Sequence, residues 1–184
     1  INPDEKTFSY IKNKLCAPKN ENWDEALLWW KSLKSDANSI YDDVIKFDAS
    51  KVEPTVTWGI TPGQSVGINQ KIPLLEELSP DDQFVAEEAY EYMGFKPGQS
   101  IKDTPIDVCF IGSCTNGRIS DLRVAAKVIK DKKVSQNIKA FVVPGSEKVA
   151  KEAKIEGLDK IFLDAGFQWR EPGCSMCLAM NSDK

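Results

Sequence analysis

The chain has 184 residues, with 24 basic and 28 acidic side chains and a formal net charge of -4. Hydrophobic residues make up 41% of it, which is enough for the buried core of one large domain or two small ones. This mildly acidic balance, without a dense block of lysine and arginine, argues against a nucleic-acid-binding groove. The histidine count is zero, so this chain cannot supply a Ser-His-Asp triad, a Cys-His pair, a histidine-ligated zinc site or the proximal histidine of a haem.

The cysteines are odd in number and unevenly spaced, at positions 16, 109, 114, 174 and 177. A secreted disulfide scaffold usually has an even number at higher density. Residues 1–15 contain no signal-peptide hydrophobic stretch, and no window approaches the roughly 18 apolar residues of a transmembrane helix. We therefore expect a reducing compartment, the cytoplasm or an organelle matrix, with the thiols used for metal or redox chemistry.

The first hundred residues are often interrupted by proline, glycine, aspartate and asparagine. Apolar residues at helical spacing predict an amphipathic helix over 24–33 and another over 81–93, the second ended by Gly94. Short runs rich in β-branched and aromatic residues predict strands over 44–47 and 55–58. Glycine and proline predict a long loop over 59–72.

The pattern becomes regular after residue 104 and predicts an α/β fold. The expected strands are 106–111, 138–143 and 160–163, and the expected helices are 117–129 and 146–156. A βαβαβ run with short connections implies parallel strands and right-handed crossovers. Functional groups of such a sheet gather at the carboxyl ends of its strands, so the segments after 111, 143 and 163 are the places to search.

The segment after the first of these strands contains Cys114 within Gly-Ser-Cys-Thr-Asn-Gly-Arg, residues 112–118. A cysteine between a strand and the N-terminus of a helix is in a position that stabilises a thiolate, the form that binds a metal or an iron–sulfur cluster. A small buried thiol beside a helix cap is the alternative interpretation.

The segment after the last strand ends in Cys174-Ser-Met-Cys177. Two cysteines at this spacing can bind one metal ion or cluster, or close a redox disulfide. A four-cysteine zinc site would need Cys109 as its fourth ligand, although mid-strand Cys109 is expected to pack into the core. Cys16 is isolated and is expected to have no role.

Three well-placed cysteines remain: Cys114, Cys174 and Cys177. Three thiolates around a four-iron cluster leave one iron without a protein ligand, and an open iron is a Lewis acid for a hydroxyl or carboxylate. The residues alone thus indicate non-redox iron–sulfur catalysis and leave the zinc and redox alternatives open.

At these cysteines the chain resembles the aconitase superfamily, and within it the family of 3-isopropylmalate dehydratase large subunits. The motifs that carry the resemblance are 107–118, 142–146, 156–162 and 165–181, with further likeness at 2–8, 17–19 and 56–63. The homoaconitase branch is the nearest alternative family, and the sequence of residues 169–180 favours the dehydratase. The resemblance implies three-layer α/β units with a mainly parallel sheet, divided into residues 1–103, the latter part of one domain, and 104–184, the start of the iron–sulfur-bearing domain.

The resemblance also implies a function and a cofactor. Cys114, Cys174 and Cys177 match the family's ligands to a [4Fe–4S] cluster, and the reaction is the isomerisation of 2-isopropylmalate and 3-isopropylmalate through loss and return of water, in leucine biosynthesis. Arg118 and Arg170 flank these cysteines. They could contact substrate carboxylates, although surface or helix-end salt bridges are the interpretation we favour.

Some parts of the family pattern have no counterpart in these 184 residues. They are the histidine-bearing elements, an arginine-bearing stretch, and the serine base of a swivelling domain that bacterial enzymes carry on a separate small subunit. The expectation is therefore a cytoplasmic fragment of a large subunit that is inactive alone and has the small subunit as its partner. No nucleic-acid or membrane partner is expected.

Overall fold

The computed structural model describes residues 2–178, except for the side chain of Asp103. Residues 179–181, the end of the 165–181 motif that carries the family resemblance, lie outside the described residues. The chain divides into two compact units, Ile1–Val52 and Glu53–Lys184. No helix within residues 2–178 has the length and apolar character needed to cross a bilayer.

The first unit is built on two helices, α1 (Glu5–Ile11) and α2 (Glu21–Ser32). Asp4 caps α1 by accepting a hydrogen bond from the amide of Thr7 at 2.8 Å. The ring of Trp30 lies between two others, stacked on Phe8 at 6.2 Å and edge-on to Trp23 at 5.6 Å. The predicted helix over 24–33 is confirmed, with its start at Glu21, and α1 had not been predicted.

The strand predicted over 44–47 is wrong. Val44, Ile45 and Phe47 are 63%, 69% and 84% exposed, and the segment has no strand partner among the described residues. β-Branched and aromatic residues favour strands because their side chains pack well on a half-buried, pleated sheet. Where no neighbouring strand offers hydrogen bonds, these residues do not form a strand.

The second unit begins with a small hairpin and a helix. Strand β1 (Thr55–Thr57) pairs antiparallel with β2 (Ser65–Gly67), and α3 spans Pro80–Met93. The predictions for the 55–58 strand and the 81–93 helix are confirmed, and Gly94 ends α3 with a φ of 69°. The predicted 59–72 loop is corrected, because it contains β2. Buried side chains between these elements form one cluster: Trp58, Val66, Ile72, Ala86, Ala89, Tyr90 and Ile101.

A parallel sheet follows, which confirms the α/β class. Its strands, in spatial order, are β3 (Val108–Gly112), β4 (Lys139–Val143) and β5 (Gln168–Trp169). The crossovers contain α4 (Ser113–Asn116), α5 (Ile119–Ile129), α6 (Glu147–Ile155) and α7 (Leu158–Ala165). Helices α5, α6 and α7 pack on one face of the sheet and form a second buried cluster with it. Its members are Leu122, Ala126, Ala140, Val142, Ala153, Leu158, Phe162, Ala165 and Phe167.

The third predicted strand, over 160–163, is wrong, because these residues lie in α7. Leu158, Phe162 and Ala165 recur at helical spacing and are buried on one face of α7. Left-handed glycines bound this helix, Gly157 with a φ of 71° and Gly166 with a φ of 99°. The true third strand is β5, so the cysteine pair still follows the last strand of the sheet.

The second unit thus contains two buried clusters, one within residues 56–101 and the other within 109–169. The domain boundary expected after residue 103 falls between them. That boundary stays a prediction, as does the three-layer arrangement.

Candidate metal centre

The first cysteine turn begins where β3 meets the end of β4. Gly112 has a φ of 119°, and a Cβ at this position would lie 1.9 Å from the carbonyl oxygen of Val143. Only glycine combines this backbone angle with this close approach. The next residue, buried Ser113, has a φ of 70°, and exposed Cys114 follows it in α4. The chain therefore turns sharply and leaves the thiol accessible at the carboxyl end of the sheet.

Two further glycines hold this turn against the neighbouring loop. The amide of Gly145 donates a 2.8 Å hydrogen bond to the carbonyl oxygen of Gly117. A Cβ on Gly117 would lie 2.4 Å from the carbonyl oxygen of Ser113. This packing was not predicted from the sequence, although glycines after successive parallel strands were a signal that could have shown it.

The second cysteine segment leaves the sheet from β5. The amide of Arg170 donates a 3.0 Å hydrogen bond to the carbonyl oxygen of Val142, which extends the pairing with β4 by one residue. A short 3₁₀ helix then spans Ser175–Cys177. In this helix the amide of Cys177 donates a 3.0 Å hydrogen bond to the carbonyl oxygen of Cys174. Cys174 is half-buried and Cys177 is exposed.

Both cysteine segments thus start at the same edge of one sheet. Gly112 pairs with Val143, and Arg170 follows the residue paired with Val142, so β4 alone separates the two starting points. Neighbouring strands lie about 4.8 Å apart, which puts the two starting points about 10 Å from each other. Cys114 lies two residues beyond Gly112, in α4, and Cys174 lies four residues beyond Arg170, so only short segments separate these cysteines from the two starting points.

The described arrangement does not bring the thiols into a ligand shell. Within residues 2–178, no three or more side chains of cysteine, aspartate, glutamate or histidine are grouped so that they could hold a metal ion. The chemistry of the donors nevertheless fits a thiolate-ligated cluster, because Cys114, Cys174 and Cys177 all have free thiols. Their assignment as ligands is therefore a proposal.

The other two cysteines lie elsewhere. Cys109 is half-buried in β3 and packs against the helix-side core, as expected, and burial raises the pKa of its thiol. Cys16 is exposed in the first unit.

The two flanking arginines differ in their surroundings. Arg118 is exposed at the start of α5, where its backbone amide donates a 3.1 Å hydrogen bond to the carboxylate of Asp121. Arg170 is half-buried, with its guanidinium carbon 5.0 Å from the ring centroid of Phe141. The Arg170 guanidinium thus makes a cation–π contact with the sheet.

Comparison with known proteins agrees with this architecture. The Aconitase family (aconitate hydratase) matches residues 1–184. Over all 184 residues, the chain is 97% identical to the 3-isopropylmalate dehydratase large subunit of Prochlorococcus marinus strain MIT 9301 and 85% identical to that of strain MIT 9312. It is 65% identical to the protein of the same name from Nostoc punctiforme. The chain spans 39% of the length of each of these relatives. With a parallel α/β sheet and a family match over its whole length, the chain belongs to the aconitase family.

Proposed function

We propose that this chain forms the cysteine-bearing part of a 3-isopropylmalate dehydratase large subunit. Such an enzyme is a hydro-lyase that interconverts 2-isopropylmalate and 3-isopropylmalate in leucine biosynthesis by removing water and adding it back. The observation that carries the proposal is the 97% identity, over all 184 residues, with a relative of that name.

Three side chains have named roles in this proposal. Cys114, Cys174 and Cys177 would hold a [4Fe–4S] cluster through their thiolates. Their free thiols and the common sheet edge from which their segments start support this role. When bound, the cluster supplies an iron with an open coordination position, which acts as a Lewis acid for a hydroxyl and a carboxylate of the substrate.

The proposal requires groups that these 184 residues do not supply. Acid–base catalysis of dehydration needs a proton donor and acceptor, and the chain has no histidine for that work. We infer that the rest of a large subunit, together with a small subunit bearing the swivelling domain, completes the site. The chain alone should therefore have no dehydratase activity. The five free thiols support a reducing compartment, which we take to be the cytoplasm.

Anaerobic reconstitution tests the cluster assignment. The chain is incubated with ferrous iron and sulfide, desalted, and measured for iron, sulfide and visible absorption. We expect a broad band at about 400 nm, typical of thiolate-ligated clusters. Cys114→Ala should abolish it, whereas Cys16→Ala is the matched control and should leave it unchanged. A band that survives Cys114→Ala would contradict the three-cysteine assignment.

The same variants separate the cluster from the alternative uses of the cysteine pair. A zinc site or a reversible disulfide at Cys174 and Cys177 would give stoichiometric zinc or a redox-dependent thiol count. Neither property would depend on Cys114.

A chimera tests the substrate. The chain replaces the matching 39% of the Prochlorococcus marinus MIT 9301 large subunit, and the product is assayed with the small subunit of that strain. Turnover of 3-isopropylmalate is expected, and preferential turnover of homoaconitate would favour the competing branch instead.

A further inference from the structure

Trp169, the last residue of β5, and Arg170, which follows it, contact opposite faces of the parallel sheet. Trp169 packs on the helix side, with its ring 6.1 Å from that of Phe162. Arg170 lies over Phe141, whose neighbour Val142 belongs to the helix-side cluster. Since side chains alternate between the faces of a strand, Phe141 and Arg170 meet on the face away from the helices.

The Arg170 contact is well shielded from water. Phe141 is 7% exposed, and the Nε atom of Arg170 is buried. A cation–π contact gains strength as the cation loses water, and a planar guanidinium can lie flat on a ring. The backbone of Arg170 is tied to the same strand by its hydrogen bond to Val142. Main chain and side chain of one residue thus both attach to β4.

This attachment comes directly before the cysteine pair. Only Glu171, Pro172 and Gly173 separate Arg170 from Cys174. Among the described residues, the backbone hydrogen bonds donated by Cys177 and Leu178 go to Cys174 and Ser175, within the segment itself. The place at which the segment leaves the sheet therefore contributes to where it lies, together with the packing of its buried residue Ser175.

We propose that Arg170 is a positioning residue, which holds the segment 171–178 at the carboxyl end of β4 through its contact with Phe141. In the dehydratase this would place Cys174 and Cys177 for cluster binding, a consequence that rests on the proposed function. The side chain acts through the segment that follows it, and contact with substrate is no part of this role.

The test measures the motion of the segment without any cluster. A chain that keeps Cys177 alone, with its other cysteines replaced by alanine, is labelled there with a nitroxide and studied by continuous-wave EPR. Arg170→Gln should shift the line shape towards that of a mobile label. We expect the ratio of ordered to mobile populations to fall about five-fold, which is the change that loss of a typical cation–π contact would produce. Arg170→Lys, which keeps the charge, should recover part of the ordered population.

Two controls separate positioning from a general loss of structure. Arg123→Gln removes an arginine from α5 and should leave the line shape at Cys177 unchanged. A label on Cys16 in a matching single-cysteine chain should not respond to Arg170→Gln. Phe141→Leu removes the ring but keeps Arg170, and it should mobilise the Cys177 label as Arg170→Gln does. This gives a second test should the Gln variant fail to fold.

The outcomes distinguish this proposal from the proposed function. An ordered label in folded Arg170→Gln or Phe141→Leu overturns the positioning role, even when the chain assembles a cluster. A mobilised label supports the role, even when no cluster can be reconstituted and the proposed function fails. Where the chain does assemble a cluster, we also expect Arg170→Gln to lower the iron retained after desalting.

Discussion

The amide of Gly145 lies 2.8 Å from the carbonyl oxygen of Gly117, and this hydrogen bond joins the loops that follow two strands of the parallel sheet. No side chain fits between the two loops. A Cβ on Gly117 would lie 2.4 Å from the oxygen of Ser113 and 2.8 Å from the nitrogen of Gly145. These are backbone atoms, which cannot rotate away as the end of a flexible side chain can. The turn that presents Cys114 is therefore held in place by main-chain contacts.

Replacing Gly117 by alanine should destabilise the chain by about 1–3 kcal/mol, the usual cost of forcing extra atoms into a packed site. Urea unfolding followed by circular dichroism measures the change. Gly63→Ala is the control, because a Cβ there meets its nearest atom, Oγ1 of Thr61, only at 3.8 Å. Equal stability of the two variants would show that the loops can separate without cost.

Leu122 in α5 is 0% exposed and belongs to the core beneath the sheet. Its replacement by alanine leaves a cavity and should cost about 2–5 kcal/mol. Leu163 in α7 is 52% exposed, so Leu163→Ala removes the same atoms with a much smaller effect. Thermal unfolding of both variants tests the difference, and similar losses would mean that the core lies elsewhere.

Arg123 joins α5 to the end of α6, since its Nε donates a 2.8 Å hydrogen bond to Glu156 and its terminal nitrogen lies 3.3 Å from Glu152. The hydrogen bond from Arg123 lowers the pKa of Glu156 below its ordinary value of 4.5. A lowered carboxylate pKa contributes stability at neutral pH that is lost as the pH falls through the native value.

Arg123→Gln should therefore lower the melting temperature at pH 7, and the difference from the parent chain should shrink as the pH drops below the ordinary glutamate value. Because the pair is exposed, high salt should also reduce the difference. Melting curves from pH 7 to pH 3, at low and high salt, check both trends. A difference independent of pH would assign the effect to packing.

Cys109 should be the slowest of the five thiols to react. Burial raises the pKa of its thiol, which favours the unreactive protonated form, whereas Cys114 and Cys177 are exposed. Timed alkylation with iodoacetamide, followed by mass spectrometry, gives the order of modification. The same experiment in urea should remove the delay at Cys109, and a persistent delay in urea would disprove burial as its cause.

The elements with complete local signals could be predicted from the sequence. Ser79, Pro80 and Gly94 mark both ends of α3, and the apolar face of α5 has a clear helical period. β4 is an apolar run buried in the sheet, as its composition indicates. The sequence also predicted that both cysteine segments follow strands of one parallel sheet, although it assigned the strand before Cys174 to 160–163 instead of β5.

The errors arose where short apolar runs allow two structures. The apolar residues of 160–163 suit a strand as well as a helix. In the structure they lie in α7, which is bounded by two left-handed glycines. β2 has only three residues and depends on pairing with β1. The joint role of the three cysteines rested on the family resemblance, because spacing alone does not say which thiols share a ligand.

Strand β5 has a consequence for local stability. It pairs with β4 at two positions, whereas β3 pairs with β4 at five. A short edge strand opens at a lower free-energy cost than the central strand, so the amides of 168–170 should exchange with solvent before those of 141–143. This opening should release the segment bearing Cys174 and Cys177, while the buried hydrophobic core around Leu122 and Phe162 stays folded. The segment that carries the cysteine pair can therefore shift while most of the sheet stays intact.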